Sequence, residues 1–523
     1  IVYLSSKAFI VDNTLGPVLD EKPDNIVCLD FKNGDVFEKI NDFEMILQTE
    51  CSQNLASGFA EYKLTLAPQE TKSISYKIPL KKQTLLKSSK KSIPLKDQES
   101  LITRIKTIQS IKYKTEKDNC TQKFHHYLND FGSISIPDEQ TQKNLTNSIY
   151  LTLNCLGKNR FIKKGLDHDF LPLRDLYFII KSMHIMNNPH ILETITMTLS
   201  AFKNNLDAPV YSSEMMDQFG IYIIIIYELF LVTNDKSLLE FHFLSIKKAC
   251  KKLINTQIKT KYGLLLKGPL CDGSNLIDSY LWTNYWGLAG LKKAVIISKV
   301  LGIFDWMETT NQAINKWESA IESLIEKKSG VTPFIPISEN RELDSSLIYS
   351  LVSTYPLSLI PGSDPKIKET LSLIEKYHTS NTLFFSSVGK AGFPLHQNHV
   401  LAQIYLENKD PKCFSILNWL NLTCQNGGTW PEVIHPLSKS GSYGDGNSIL
   451  ANADYILLIK NMLISEKNNS LILLSFIPKE WLVEKKPIKV NNIQTKFGKV
   501  SLSVTLISDT LKIIFTHTFT RFP

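Results

Sequence analysis

The feature that most constrains this chain is a change of hydrophobic period near residue 138. Before that point apolar residues alternate or gather in short β-branched runs; after it they recur three and four positions apart. The segments NSIYLTLNCLG, LRDLYFIIKSMHIM, ILETITMTLSAF, FGIYIIIIYELFLV, LLEFHFLSIKKACKKLI, YWGLAGLKKAVIISKVL and AINKWESAIESLIEK carry the helical spacing. SSLIYSLVSTYPLSLI, IKETLSLIEKY, VLAQIYLENK, FSILNWLNLTC and SILANADYILLIKNML continue it. Roughly a dozen helices joined by loops pack as antiparallel hairpins, in a bundle, a solenoid or a closed toroid. No fixed-period repeat of the kind a solenoid needs is present. The longer Gly/Pro-rich loops carry Trp, Asp and Glu, which favours a toroid with a site at one mouth.

Both flanks read as β-structure. VYLSSKAFIVD, NIVCLDFK, SGFAEYKLTLAPQ and KSISYKIPL are short strand-like runs broken by turn residues. They predict a β-sandwich over 1–96, incomplete at its amino end, running into the lysine-rich linker KKQTLLKSSKKSIPLKDQ. A linker or helical connector follows over 97–137, the toroid over 138–467, and a small β tail packed on the toroid over 468–523. The tail comprises SLILLSFIP and KPIKVNNIQTKFGKVSLSVTLISDTLKIIFTHTF, with breaks at NNIQTKFG and ISDT. The expected class is mainly α with β: an (α/α)6 toroid between an N-terminal β-sandwich and a C-terminal β-sheet.

Composition excludes several functions. At 43% hydrophobic, the 523 residues can bury a large core. The most apolar stretch, IYIIIIYELFLV, is too short to span a bilayer and contains Glu228, so it reads as a buried helix, and no membrane partner is expected. Net charge is +8, but the clustered lysines are not interleaved with aromatic residues, so a nucleic-acid partner is not expected. The 8 cysteines form no CxxC pair, and no metal or organic cofactor is called for. Scattered thiols favour the cytoplasm over secretion. The chain opens on Ile, so the natural start, and any signal peptide, is expected upstream. Oligomeric state is not legible.

One loop stands out. Residues 427–436 read GGTWPEVIHP, which places Glu432 behind two glycines, Trp430 and Pro431, and ahead of His435. A carboxylate fixed beside flat rings suits a general base in a sugar site. By its residues alone, the stretch reads first as a helix-capping loop with Glu432 a solvated carboxylate.

Taken in order, several loops resemble the six-hairpin glycosidases that include glucoamylases. LPLRDLYF (171–178) is similar to a segment whose Arg and Asp grip sugar hydroxyls there; the resemblance implies that role for Arg174 and Asp175. MMDQFGIYIIIIYELFLVTNDKSLLE (215–240) places Asp217 at the pocket rim, although Asp217 also reads as a helix cap. GLLLKGPLCDGSNLIDSYLWTNYWGLAGL (263–291) resembles a segment with a general acid just after its LW pair, but Thr283 and Asn284 stand there. Asp278 and then Asp272 are the candidate acids that remain, each also readable as a turn-forming aspartate. GGTWPEVIHPLSKSGSYGDGNSILANADYILLIKNML (427–463) resembles the loop that supplies the base, which implies that role for Glu432. SFIPKEWL and IQTKFGKVSLSV look like the family's β tail.

The resemblance implies a glycoside hydrolase acting on an α-glucosidic or related bond by inversion, with a carbohydrate substrate. Trp282, Tyr285, Trp286, Trp430 and His435 are candidate sugar contacts, and each aromatic ring is by default an ordinary core residue. Inversion needs two carboxyl groups roughly 6.5–9.5 Å apart. The alternative is a carbohydrate-binding protein that has lost its acid at Thr283 and Asn284; a noncatalytic scaffold is the third reading.

Overall fold

The computed structural model describes residues 8–11, 14–19, 25–30, 35–38, 45–47, 56–61, 64–73, 76–77, 103, 107–108, 110–129, 132–154, 172–184, 195–200, 203, 215–270, 276–330, 332–341, 343–425, 428–444, 446–467 and 469–520. Two compact units divide the chain, Ile1–Tyr127 and Leu128–Pro523. The proposed linker KKQTLLKSSKKSIPLKDQ lies outside the described residues.

The first unit contains two antiparallel sheets. Thr14–Leu19 pairs with Ala8–Val11 on one side and Tyr76–Lys77 on the other. The second sheet runs Met45–Leu47, Asp35–Glu38, Asn25–Asp30, Ala56–Glu61. Residues 64–69, the end of the strand-like run SGFAEYKLTLAPQ, are exposed coil and turn, consistent with Pro68 and the Ala67–Glu70 turn there. Helix α1 (Tyr113–Asn129) comes next in sequence.

The second unit is the helical ring. Its helices are α2 (Glu139–Asn154), α3 (Leu173–His184), α4 (Asp217–Thr233), α5 (Lys236–Asn255), α6 (Leu281–Leu301) and α7 (Met307–Ser329). A 3-10 helix (Ser345–Ser353) follows, then α8 (Pro365–His378), α9 (Leu395–Glu407), α10 (Lys412–Thr423) and α11 (Ile449–Leu463). Residues 195–200 are helical as well.

Contacts close an inner circle. Helix α3 touches α4, α4 touches α6, α6 touches the 3-10 helix, that helix touches α9, α9 touches α11, and α11 returns to α3. Helices α2, α5, α7, α8 and α10 lie outside and pack against the inner members. The sequence explains this sorting. Inner helix α4 reads DQFGIYIIIIYELFLVT and is buried around its circumference; outer α7 alternates charged residues with Ile314, Trp317, Ile321 and Leu324 on one buried stripe. Sequence signals also set the ends: Asp235 accepts from Ser237 N to cap α5, Asp364 with Pro365 opens α8, and Gly302 at φ 72° closes α6. The expected mainly-α toroid is therefore present. No described helix is long and apolar enough to cross a membrane.

Where an ordinary helix was expected over SSLIYSLVSTYPLSLI, the chain forms a nine-residue 3-10 helix and then turns. Serine hydroxyls compete for backbone carbonyls, as Ser353 Oγ does at Ser350 O, and Pro356 blocks continuation.

The closing sheet is antiparallel, in the order Thr510–Phe519, Gly498–Ile507, Ile488–Thr495, Ser133–Ser135. Ile488–Thr495 touches α3. The break expected within NNIQTKFG (491–498) falls at Lys496–Phe497; before it the strand runs on through Asn491 and Asn492, with a bulge between Val490 and Ile493.

Candidate active site

Four inner helices, α3, α6, α9 and α11, present their amino ends to a single cleft. Arg174 and Asp175 are the second and third residues of α3, Trp282 the second of α6, His396 the second of α9, and Leu450 and Ala451 begin α11. Glu432 and Lys390 reach the same cleft from loops, and Tyr349 from the 3-10 helix. Three of the four segments singled out from sequence as sugar-contacting or catalytic thus meet here, and the fourth, the one carrying Asp217, lies directly behind Trp282.

Glu432 is fixed by its backbone. Its N–H donates to Tyr443 O at 3.0 Å, and its carbonyl accepts from Leu395 N at 3.0 Å. Val433–Ile434 continues as the centre of a three-stranded sheet between Phe393–Pro394 and Gly441–Tyr443. Gly444, at φ 91°, permits this approach, since a Cβ there would lie 2.9 Å from Glu432 N. The Glu432 side chain is ion-paired: Lys390 Nζ lies 2.8 Å from its Oε2.

Arg174 Nε sits 3.7 Å from Asp175 Oδ1, so the pair offers both charges to the cleft. Behind Trp282, the indole N–H donates to Asp217 Oδ2 at 3.2 Å. Burial raises the Asp217 pKa, against the opposing influence of Arg174 and of the hydrogen bonds it accepts. Asp217 does not line the cleft. Trp282 is held edge-on by Tyr349 at 5.5 Å and by Trp286 at 5.8 Å between ring centres.

The segment read as bearing the acid is placed differently. Asp278 is buried and accepts from Ser338 Oγ at 2.5 Å, Asn340 N at 3.0 Å, Asn340 Nδ2 at 2.8 Å and Ser279 N at 2.7 Å. Burial works against its ionisation, but those hydrogen bonds outweigh it and hold the carboxyl below the usual range. Asp278 is not among the cleft residues. Asp272 lies outside the described residues. Thr283 is buried. Asn284 accepts from Leu266 N and Trp317 Nε1, each at 2.8 Å, and donates to Leu266 O and Tyr280 O at 3.1 and 2.7 Å. It fastens α6 to the strand Gly263–Leu265 and its sequel.

Four further candidates lie away from the cleft lining. Tyr285 and Trp286 are buried on α6, and neither the Tyr285 hydroxyl nor the Trp286 N–H has a partner among the described residues. Trp430 is fully buried, donates to Leu420 O at 3.0 Å and lies against Tyr455. His435 accepts from Leu437 N and Ser438 N and shapes the loop beyond Ile434.

Lys390, Tyr349 and His396 were not foreseen. His396 Nδ1 lies 2.7 Å from Asp454 Oδ2, and Gln397 donates to the Tyr349 hydroxyl at 2.9 Å. For His396 a signal exists: FPLHQ at 393–397 repeats the form of LPLRD at 171–175, a proline and leucine leading two polar residues into an inner helix. Among the described residues no cluster of His, Cys, Asp and Glu is placed to hold a metal ion.

Comparison with known proteins agrees with this architecture. No protein-family model matches the chain, and no curated protein sequence does. Solved structures do. A bacterial glucoamylase complexed with acarbose matches at TM-score 0.56 and 14% identity, over 87% of this chain and 72% of its own. A GH78-family rhamnosidase of Bacillus sp. GL1 matches at 0.54 and 11%, over 73% and 41%. A sialidase matches at 0.57 and 10%, over 96% and 56%. The chain has a glucoamylase-like fold. The three neighbours carry different names on a similar fold, so the fold alone does not fix what the chain acts on.

Proposed function

We propose that the protein is a glycoside hydrolase that takes the end of an oligosaccharide or glycoside into this cleft, with an α-glucosidic bond as the first to test. One observation carries the reading: Arg174 with Asp175, Trp282 and Glu432, from three segments far apart in sequence, line the same cleft at the ring's mouth. Arg174 and Asp175 bind neighbouring hydroxyls through charge-assisted hydrogen bonds. Trp282 offers an apolar face to a sugar ring. Glu432 takes a proton from water as that water attacks the anomeric carbon opposite the leaving oxygen, which inverts the centre.

A second reading is carbohydrate binding without turnover. Lys390 already occupies Glu432, and Thr283 and Asn284 stand where the resemblance has its acid. Sugar release from a panel of α- and β-linked disaccharides, wild type beside Glu432→Gln, separates the two. Hydrolysis predicts turnover that falls by about 10²–10⁴-fold in the variant. Absence of turnover, with acarbose binding seen by calorimetry and abolished by Arg174→Met, supports the binder. Neither turnover nor binding refutes both.

A further inference from the structure

We infer that His396, oriented by Asp454, is the proton donor to the leaving oxygen; this rests on the hydrolase reading above. His396 lines the cleft at the start of α9. Its Nδ1 is committed to Asp454 Oδ2 at 2.7 Å, and Asp454 is a buried residue of α11. Phe178 packs edge-on against the imidazole at 4.7 Å between ring centres. Two inner helices and an aromatic ring therefore fix its plane, and Nε2 is the nitrogen that remains for a substrate. The same carboxylate–imidazole arrangement sets tautomer and orientation in hydrolytic triads.

The donor and the proposed base are neighbours. Leu395, which precedes His396, donates its N–H to the Glu432 carbonyl, so both side chains enter from one backbone junction. Charge also suits the role. Burial alone would lower the His396 pKa, but Asp454, as ion and as hydrogen-bond acceptor, outweighs burial; Asp175 adds to the rise and Arg174 opposes it, and the net direction is upward. The imidazolium thus persists to higher pH than a free histidine. Asp278 lacks this fitness, because its hydrogen bonds hold it ionised outside the cleft lining.

In the proposed step the His396 Nε2–H bond breaks and its proton goes to the glycosidic oxygen as the bond from that oxygen to the anomeric carbon breaks. Water forms the new carbon–oxygen bond and gives one proton to Glu432. The products are a hemiacetal sugar and a free alcohol. Return of the proton from Glu432 to His396 through solvent restores both groups.

The test uses His396→Gln on two substrate sets: the disaccharide panel, whose leaving groups need a proton, and the matching glycosyl fluorides, whose leaving group does not. The expected result is a loss of about 10²–10⁴-fold on disaccharides and less than about 10-fold on fluorides. Asp454→Asn supplies a second readout. It is expected to move the alkaline fall of kcat/KM to lower pH, because the charge that raises the imidazole pKa is gone; a purely structural role lowers the rate equally at every pH. Equal losses on both sets, an unchanged alkaline limb, or leaving-group-selective loss in Asp272→Asn instead, overturns the assignment. If wild type is active and Glu432→Gln is not, yet His396→Gln keeps the wild-type rate, the hydrolase reading stands and His396 alone is refuted. No wild-type turnover on either set refutes both.

Discussion

Lys390 Nζ lies 2.8 Å from Glu432 Oε2 and 3.5 Å from the centre of the Tyr443 ring. The lysine comes from the loop before α9, and the carboxylate and tyrosine from the small sheet that Glu432 leads into. The ring and the carboxylate hold the ammonium between them, and the ammonium in turn holds the carboxylate. Both partners are part-exposed, so the pair contributes at most about 1 kcal/mol to stability. Its value to the site is in position. Lys390→Met is expected to leave the melting temperature nearly unchanged and to lower kcat about tenfold or more, since small misplacements of a reacting group are costly. Parallel melting and turnover measurements check this; unchanged turnover would show that Glu432 is held by its backbone alone.

Asp278 predicts a dependence of stability on acid. Its carboxyl is held below the usual range, so the stability it contributes is fully present above about pH 4, the ordinary aspartate pKa. That contribution is lost as pH falls through the lower folded value. Asp278→Asn keeps the shape but places an amide among four donors, and is expected to cost about 2–4 kcal/mol at pH 7. The difference from wild type should shrink on acidification. Urea unfolding at pH 7 and pH 3 measures it, and an equal gap at both would exclude ionisation as the cause.

Much of the fold was legible because burial imposes periodicity. Helix α4, apolar on every side, has to lie inside other helices, and the one-sided α7 has to lie outside them. Ser133–Ser135 was not legible as a strand, because three residues carry no period and its partner Ile488–Thr495 is distant in sequence. The site was legible where a loop's composition is unusual, as around Glu432, or where a charged pair opens a helix, as at Arg174 and Asp175. Asn284 shows the limit. Residue type suggests a vanished acid, but only the direction of the side chain reveals four hydrogen bonds into the core. Lys390 and His396 escaped because their meaning lies in their partners, Glu432 and Asp454, which sequence does not place beside them.

The ring closes tightly where α4 meets α6. A Cβ added at Gly290 would lie 2.5 Å from Gly220 Cα, and one at Gly220 would strike the Trp286 carbonyl. Both are backbone atoms that cannot swing aside. Gly290→Ala gains up to about 1 kcal/mol in helix propensity. Separating two inner helices costs about 1–3 kcal/mol or more. Net destabilisation is expected, together with a shift of Trp282 at the adjoining mouth. Differential scanning calorimetry tests the first, and a rise in melting temperature would show that the helices part without strain.

Asn284→Asp distinguishes a lost catalytic acid from a structural residue. If Asn284 were a decayed acid, restoring the carboxyl would restore turnover. Its amide nitrogen, however, donates to Leu266 O and Tyr280 O, while its oxygen accepts from Leu266 N and Trp317 Nε1. A carboxylate can replace the acceptor but turns a donor into an acceptor facing two carbonyls. Leaving those carbonyls unpaired beside a buried charge is expected to cost about 2–4 kcal/mol. No gain in turnover should accompany the loss, because the side chain joins α6 to the strand beside it and does not line the cleft. Melting and sugar release measured on the same preparation decide the matter. A tenfold or larger gain in turnover would return this position to the catalytic machinery and count against His396 as the donor.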